Sequence, residues 1–189
     1  MTAYDPVMTA QALRYRWTQH GFIRAATAGV FDGRVELVDG EVWPVVIGDW
    51  HGPTTMRCAH LLTVDDVVVT QESLATADSL PDPDFWVRST LAEPTAKVSP
   101  RLSRWAADDV LLVVEVSDET VVVDLNTKSR LYGAAGYPVY WALTREAVFE
   151  HTRPDADGYR SVVRNRPGDR IPVPYASVAV GVGDLVGPG

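Results

Sequence analysis

The 189-residue sequence predicts an α/β (α+β) fold, in which a mixed β-sheet core is flanked by helices and carries additional β-hairpins. Three patterns predict it. The segment 109–116, "DVLLVVEV", is a near-continuous apolar strand of the kind covered on both faces, a helical pattern follows it, and a run of strands follows the helix. The length suits one domain over residues 1–189, and 46% hydrophobic with 22% charged residues is typical of a globular protein.

The first half of the chain predicts two helices and a hairpin. Residues 8–20 place apolar side chains at helical spacing, and Gly21 is expected to end that helix. The segment 34–47, "RVELVDGEVWPVVI", predicts a hairpin whose two-residue turn, Asp39-Gly40, needs positive φ angles. Residues 53–64 predict a second helix, with Pro53 near its start, and residues 65–70 a strand.

The second half predicts the sheet and its crossover. A short strand at 85–88 follows two X-Pro steps, and residues 92–107 are interpreted as an exposed loop. After the apolar strand, a helix over 124–135 is closed by Gly136 and Pro138. The remaining predicted strands are "PVYWALT", "EAVFEHT" and "GYRSVVR", the last two forming a hairpin, and the tail 171–185 is expected to be loosely extended.

Composition also limits the function classes. A net charge of −8 argues against tight general binding of nucleic acid, although a local basic patch could flank an acidic site. Five C-terminal arginines are the candidates for such a patch or, alternatively, charges that protect a solvated hairpin edge: Arg153, Arg160, Arg164, Arg166 and Arg170. No apolar run approaches the ~20 residues of a membrane helix, no signal peptide is visible, and the single Cys58 excludes a disulfide framework, so a cytoplasmic protein without a membrane partner is expected.

Opposite charges interrupt two neighbouring apolar elements. Glu115 lies within the apolar strand, where an ionised carboxylate is costly unless it is paired or bound to a metal. Asp124 and Lys128 are four residues apart on the helix face that must pack on the sheet. The alternative is that Asp124 only caps the helix, Lys128 extends to solvent and Glu115 lies at the wet end of its strand. Lys128→Met is expected to be neutral or slightly stabilising, because an inward lysine is desolvated.

Two further carboxylates interrupt apolar patterns in the same way. Asp84 follows Pro83 at the entry to a short strand, and Glu36 interrupts the first hairpin. Magnesium prefers oxygen ligands, commonly one or two carboxylates with water and substrate phosphate. A nearby lysine could stabilise a phosphorane-like charge or help to deprotonate the attacking water. Acidic residues and a lysine at one sheet edge are what metal-dependent phosphodiester cleavage requires.

Between Val35 and Trp141 the sequence resembles the Uma2 (DUF820) family of restriction-endonuclease-like proteins, which belong to the PD-(D/E)xK nuclease superfamily. The resemblance lies in "RVELVDGEVW", "PDFWV" and "VVEVSDET…DLNTKSRLYGAAGYPVYW". It implies a mixed sheet flanked by helices, DNA as substrate and Mg²⁺ (or Mn²⁺) held at the sheet edge. Its motif residues correspond to Glu36, Asp84, Glu115 and Lys128, with Asp84 and Glu115 as metal ligands. Nuclease-fold relatives commonly pair, so the resemblance also implies a homodimer.

Three positions depart from the family pattern or allow more than one interpretation. Where superfamily members carry a lysine two residues after the glutamate, this chain has Ser117, so Lys128 would take that role from the helix. "PDPD" fits the motif in two registers, and Asp84 is preferred over Asp82 because the strand "FWV" follows it directly. His51 matches a family histidine that would touch substrate or orient a carboxylate, and a structural hydrogen bond at a helix start is the alternative.

The leading functional hypothesis is therefore a magnesium-dependent endonuclease that hydrolyses DNA. A catalytically weak or inactive nuclease-fold protein with a binding or regulatory role is the second, supported by the acidic charge and the missing strand lysine. A metal-dependent phosphohydrolase of small substrates is the third, because it would need no DNA-sized basic groove.

Overall fold

A six-stranded mixed β-sheet lies at the centre of the structure, a computed structural model that describes residues 15–45, 47–99, 102–118 and 120–187. The described helical elements are α1 (Gln19–Thr27), α2 (His51–Leu62), a 3-10 turn (Ala107–Asp109), a π-helical segment (Val123–Lys128), α3 (Ser129–Ala134) and α4 (Val182–Val186). The described strands are β1 (Val35–Val38), β2 (Glu41–Pro44), β3 (Val67–Thr70), β4 (Phe85–Ser89), β5 (Ala96–Ser99), β6 (Leu102–Arg104), β7 (Val110–Val116), β8 (Val139–Leu143), β9 (Val148–Asp155), β10 (Gly158–Asn165), β11 (Arg170–Pro172) and β12 (Ala179–Gly181).

The central sheet has the strand order β10-β9-β8-β7-β4-β3. Strands β7 and β8 run parallel, whereas the other neighbouring pairs are antiparallel. A parallel pair needs a crossover connection, which the π-helical segment and α3 supply. The predicted mixed sheet with a central crossover helix is therefore confirmed. None of the helices within the described ranges is both long and apolar enough to cross a membrane.

Both faces of the central sheet are covered, because successive side chains of a strand point to opposite faces. In β7, Leu112 and Val114 pack with α2, α4 and the β11–β12 pair, whereas Val113 packs with the aromatic residues of α3 and β8. Trp141 and Tyr140 of β8 divide between the two faces in the same way. The prediction that the apolar strand is buried on both sides is confirmed, and every second position of β7 faces the crossover helix.

The hairpin of β1 and β2 has the predicted two-residue turn, and Val38 pairs with Glu41 across it. Asp39 and Gly40 adopt φ angles of 49° and 77°, as a turn with two left-handed residues requires. Leu37 is fully buried and bridges to Leu80, which joins this hairpin to the segment leading into β4.

The first helix differs from its prediction. Residues 8–14 lie outside the described residues, and the observed helix begins at Gln19 with Thr18 as its N-cap. The Thr18 hydroxyl accepts a hydrogen bond from the Gly21 backbone N–H at 3.1 Å. Gly21 therefore lies in the first turn of α1 and does not end a helix, because the cap satisfies its N–H. The prediction at Gly21 is wrong.

Two segments that the sequence predicted to be irregular contain regular secondary structure. The expected loop 92–107 includes the β5–β6 hairpin, whose strands are too short and too polar to give a clear alternating pattern. The expected extended tail 171–185 includes β11, β12 and α4, and Ile171, Val182 and Leu185 are buried against the sheet. Both predictions are wrong, because neighbouring elements rather than local propensity stabilise these short segments.

Candidate active site

Lys128 lies at the centre of a buried cluster of acidic side chains. Its Nζ atom is 2.9 Å from Glu115 Oε1, 3.1 Å from Glu36 Oε2 and 3.6 Å from Asp124 Oδ1. All four residues are buried, with at most 6% of their surface exposed. The structure therefore excludes the alternative in which Lys128 extends to solvent and Glu115 lies at a wet strand end. Asp124 is also not the cap of this helix, because it lies inside the π-helical segment.

Two neighbouring elements bring Glu115 and Lys128 together. Glu115 has the same orientation as Val113 in β7, so its side chain faces the crossover helix. Lys128 is the last residue of the π-helical segment, directly before α3. Short π-helical segments interrupt the 3.6-residue period and are frequent at functional sites. Here the segment turns both Asp124 and Lys128 inward.

Asp84 lies beside Glu115 at the start of β4. Phe85 pairs with Val114 across β4 and β7, so extending this register by one residue places Asp84 next to Glu115. Asp84 Oδ1 is 2.6 Å from His51 Nε2, and Asp84 Oδ2 accepts a hydrogen bond from the Val116 backbone N–H at 2.6 Å. His51 thus orients a carboxylate, which is one of the two contacts expected for it.

Asp82 lines the same pocket but is held differently. Its carboxylate pairs with Arg34 at 2.7 Å, and the Arg34 side chain is about half exposed. The Asp82 backbone N–H donates to Glu36 Oε2 at 3.0 Å. Asp82 therefore supports Glu36 and Arg34, whereas Asp84 contacts the strand that carries Glu115.

A second arginine lies on the other side of this pocket. Arg145 makes two hydrogen bonds of 2.9 Å to Asp118, which lines the pocket, and its guanidinium lies 5.1 Å from the Trp50 ring centre. Its Nη2 atom is also 3.4 Å from Asp49 Oδ1. Both flanking arginines are therefore paired with aspartates, and this part of the surface has no large positive excess.

The excess of carboxylates in the cluster favours the binding of protons or cations. Burial raises the pKa of Glu115 well above its usual value, and the nearby Asp124, Asp84 and Glu36 raise it further although Lys128 opposes this. Burial alone would lower the pKa of Lys128, but Glu115, Glu36 and Asp124 together raise it. Lys128 therefore keeps its proton, which suits stabilisation of negative charge and not deprotonation of a water molecule.

The pocket at this cluster is small, with a volume of about 30 Å³, and it is lined by polar side chains of the cluster: Glu36, His51, Asp82, Asp84, Glu115, Asp118, Thr120 and Lys128. Among the described residues, no group of three or more His, Cys, Asp and Glu side chains is arranged as a ready metal cage. The donor set nevertheless fits a hard divalent cation, because three buried carboxylates share one ammonium group and Asp84, a fourth buried carboxylate, lines the same pocket. Asp124 Oδ1 is buried without a hydrogen-bond partner among the described residues, and its 3.6 Å ion pair with Lys128 is the longest of the three in the cluster.

Two polar contacts of the cluster were not assigned from sequence. The Tyr132 hydroxyl donates to Glu115 Oε1 at 2.8 Å, and the Thr120 hydroxyl donates to Asp124 Oδ2 at 2.5 Å. The position of Tyr132, four residues after Lys128 on the same helix face, is a signal that could have revealed its contact. Thr120 has no comparable sequence signal, because it precedes the helical pattern.

Comparisons with known proteins identify the family of the chain and a protein of similar fold. A family model named Uma2 and described as "Putative restriction endonuclease" matches residues 31–180. The chain belongs to the Uma2 family. A crystal structure of a "putative nuclease belonging to DUF820" from Anabaena variabilis ATCC 29413 is similar to it, with a TM-score of 0.66 and 14% sequence identity over 89% of this chain and 97% of that chain. At this identity the likeness concerns the fold alone. A comparison with curated proteins found no match.

The Uma2 protein departs from the superfamily pattern at Ser117, and the structure shows its surroundings. Ser117 Oγ is buried and has no hydrogen-bond partner among the described residues. The ammonium group next to Glu115 comes instead from Lys128 on the crossover helix. The lysine beside Glu115 therefore comes from the crossover helix and not from strand β7.

The C-terminal arginines of the Uma2 protein do not join this pocket. Arg160 and Arg164 lie on β10, an edge strand of the central sheet, and pair with Asp155 and Glu146. Their exposure and their acidic partners favour the interpretation of a solvated hairpin edge over that of a basic patch.

Proposed function

We propose that this Uma2 protein is an endonuclease that hydrolyses DNA phosphodiester bonds with Mg²⁺ or Mn²⁺. The observation that supports it is the meeting of Asp84, Glu115 and Lys128 at one buried pocket with more acidic than basic groups. Membership in a family described as restriction endonucleases supports the same reaction class.

Each residue has a distinct role in this proposal. Asp84 and Glu115 hold the divalent cation with their carboxylate oxygens, and His51 keeps Asp84 in orientation through its 2.6 Å contact. A cation held by these carboxylates would supply Lewis-acid chemistry, namely activation of a water molecule and polarisation of the phosphate. Lys128, which stays protonated, stabilises the negative charge that develops on the phosphate oxygens. Glu36 and Asp124 hold the ammonium group of Lys128 in place.

The test is cleavage of supercoiled and single-stranded DNA with Mg²⁺ or Mn²⁺, comparing the wild type with Glu115→Gln. We expect Glu115→Gln to lower the rate by about 10³-fold, because loss of the cation removes several kcal/mol of charge stabilisation. The matched control is Glu146→Gln, which neutralises an exposed carboxylate that precedes β9 and pairs with Arg164, and it should leave the rate unchanged. Equal rates in wild type and Glu115→Gln would contradict the proposal.

Two other functions are outcomes of the same test. A binding protein on an inactive nuclease fold is favoured by Ser117 at the usual lysine position, and it predicts DNA retention with no cleavage. A phosphohydrolase of small substrates predicts release of phosphate from small esters only. The 30 Å³ pocket does not favour it, because small-molecule sites usually enclose about 300–1,000 Å³.

We also propose that the protein acts as a homodimer, so that two sites reach the two strands of a duplex. The edge strand β10 supports this, because Val162 and Val163 are 54% and 47% exposed on it. Sedimentation at micromolar concentration is expected to show a dimer, and Val163→Asp should shift it towards the monomer. A monomer alone in the wild type would overturn this part of the proposal.

A further inference from the structure

Two donors share one oxygen of the buried Glu115 carboxylate. Lys128 Nζ lies 2.9 Å and the Tyr132 hydroxyl 2.8 Å from Oε1. Tyr132 is fully buried. The second oxygen, Oε2, has no hydrogen-bond partner among the described residues. The two donors are four residues apart, so they approach Oε1 from one face of the crossover helix.

This arrangement fixes the plane of the carboxylate. A carboxylate held by a single contact can still rotate about its last side-chain bond, where the torsional preference is broad. A second donor on the same oxygen restricts that rotation and leaves Oε2 as the atom available to a ligand. Hydrogen bonds of this kind orient metal-binding carboxylates and are often as important as the ligands themselves.

The contribution of Tyr132 differs from that of Lys128 in its charge. The positive charge of Lys128 offsets part of the negative charge that would attract a cation. The phenol of Tyr132 donates a hydrogen bond without adding a charge. The Tyr132 hydroxyl lies 2.8 Å from Glu115 Oε1, a distance at which the neutral phenol donates a hydrogen bond. Tyr132 can therefore orient Glu115 without competing electrostatically with a cation.

Packing alone does not require the hydroxyl group of Tyr132. Its ring lies 5.1 Å from the Tyr140 ring and 6.2 Å from the Tyr137 ring, measured between centres. A phenylalanine ring would fill the same space. The hydroxyl contacts Glu115, and that contact joins the aromatic layer to the acidic pocket.

We propose that Tyr132 is a positioning residue that aims Glu115 Oε2 at the divalent cation. This inference rests on the proposed function, in which Glu115 and Asp84 hold Mg²⁺ or Mn²⁺. It gives Tyr132 a role that neither the family resemblance nor the charge pattern of the sequence assigned to it.

The test is calorimetric titration of Mn²⁺ into Tyr132→Phe and into the matched control Tyr137→Phe. Tyr137 is also buried, and its hydroxyl donates to the Ala75 carbonyl oxygen at 2.8 Å, away from Glu115. We expect Tyr132→Phe to weaken Mn²⁺ binding by about 10–100-fold, and Tyr137→Phe to leave it unchanged. Urea unfolding checks that both variants fold. Tyr132→Met, with an adaptable apolar side chain, replaces the phenylalanine variant if that variant does not fold.

A double-mutant cycle separates the possible failures. In a Glu115→Gln background, Tyr132→Phe should cause no further loss of Mn²⁺ affinity, because the group that it orients is gone. Wild-type affinity in Tyr132→Phe would overturn the positioning role while the proposed function stands. A wild type that binds no Mn²⁺ would overturn both the proposed function and this inference.

Discussion

The Lys128 cluster and the β9–β10 hairpin both contain ion pairs, but in opposite surroundings. Arg160 Nε lies 2.5 Å from Asp155 Oδ2, and Arg164 Nη2 lies 3.1 Å from Glu146 Oε2. The Arg160 side chain is 73% exposed, whereas the Lys128 side chain is 8% exposed. The hairpin pairs each match one cation with one anion, whereas the cluster places one ammonium group among several carboxylates.

This difference in burial shows which charged groups are not explained by their contribution to the stability of the fold. Exposed pairs remain hydrated, cost little to form and contribute little to stability. Buried ions lose their hydration, and an uneven number of positive and negative charges leaves part of that cost uncompensated. The hairpin needs no ligand to explain its charges. In the cluster, a proton on Glu115 or the divalent cation proposed above would offset the remaining negative charge.

The largest expected effect comes from removing the single buried ammonium group. Lys128→Met should destabilise the protein by about 3–5 kcal/mol at neutral pH, because the buried carboxylates lose their counter-charge. This reverses the expectation from sequence, which assumed an isolated desolvated lysine. Urea unfolding at pH 7 and pH 5 measures it. The loss should be smaller at pH 5, because burial raises the pKa of Glu115 and more of this carboxyl group is protonated there, and an unchanged midpoint at pH 7 would contradict the prediction.

The next largest effect is stabilisation by the divalent cation. At a concentration 100 times its dissociation constant, Mn²⁺ should stabilise the wild type by about 2.7 kcal/mol. Asp84→Asn and Glu115→Gln should abolish this gain, whereas Asp82→Asn should retain it because Asp82 pairs with Arg34. Thermal unfolding with and without Mn²⁺ is the measurement. Loss of the gain in Asp82→Asn alone would move the assignment to the other register of "PDPD".

A smaller effect is expected in the pH dependence of stability. Because the pKa of Glu115 is raised in the folded protein, the stability that its protonated form contributes is present below the usual value of 4.5 and is lost as pH rises through the folded-state pKa. Without metal, Glu115→Gln should therefore lose less stability than the wild type as pH increases above 4.5. Urea midpoints between pH 4 and pH 9 measure this, and parallel curves would rule it out.

The hairpin should show the opposite sign and the smallest effect. The Arg160 side chain holds the pKa of Asp155 below its usual value of 3.8. The contribution of Asp155 is therefore present above that value and is lost only as pH falls below it. Asp155→Asn and Arg160→Ala should lower the urea midpoint at neutral pH only slightly, because the pair is exposed to solvent, and should leave the Mn²⁺ response unchanged. A large loss in either variant would show that exposure does not separate the two regions.

The sequence predicted the parts of the fold that have long or well-marked patterns. The apolar strand β7, the Asp39-Gly40 turn and the crossover helix closed by Gly136 carry strong local signals, and the structure confirms them. The β5–β6 hairpin and the tail were missed, because their short strands are stabilised by contacts that are distant in sequence. The single-domain organisation and the cytoplasmic location stay predictions.

The sequence predicted those residues of the candidate site whose charged side chains interrupt an apolar pattern. Glu36, Glu115 and Lys128 were found in this way, and the structure brings them into contact. The Tyr132 contact could not be ranked from sequence, because a tyrosine on an inward helix face is compatible with ordinary packing. The π-helical segment was also invisible, because it changes the helical period over only six residues. The roles of these residues in metal binding and catalysis stay predictions.

If the protein cleaves DNA as proposed, the size of the acidic pocket limits which part of the substrate can reach Glu115. A volume of about 30 Å³ is roughly the share of one water molecule in the liquid. This space is too small to enclose a nucleotide base, so in the proposed reaction a phosphate oxygen would be the part of the substrate that approaches Glu115. In the proposed nuclease, the contacts that distinguish one DNA sequence from another would then lie outside the pocket, where Arg34 and Arg145 are half exposed. Changes of specificity and loss of chemistry should therefore map to different residues.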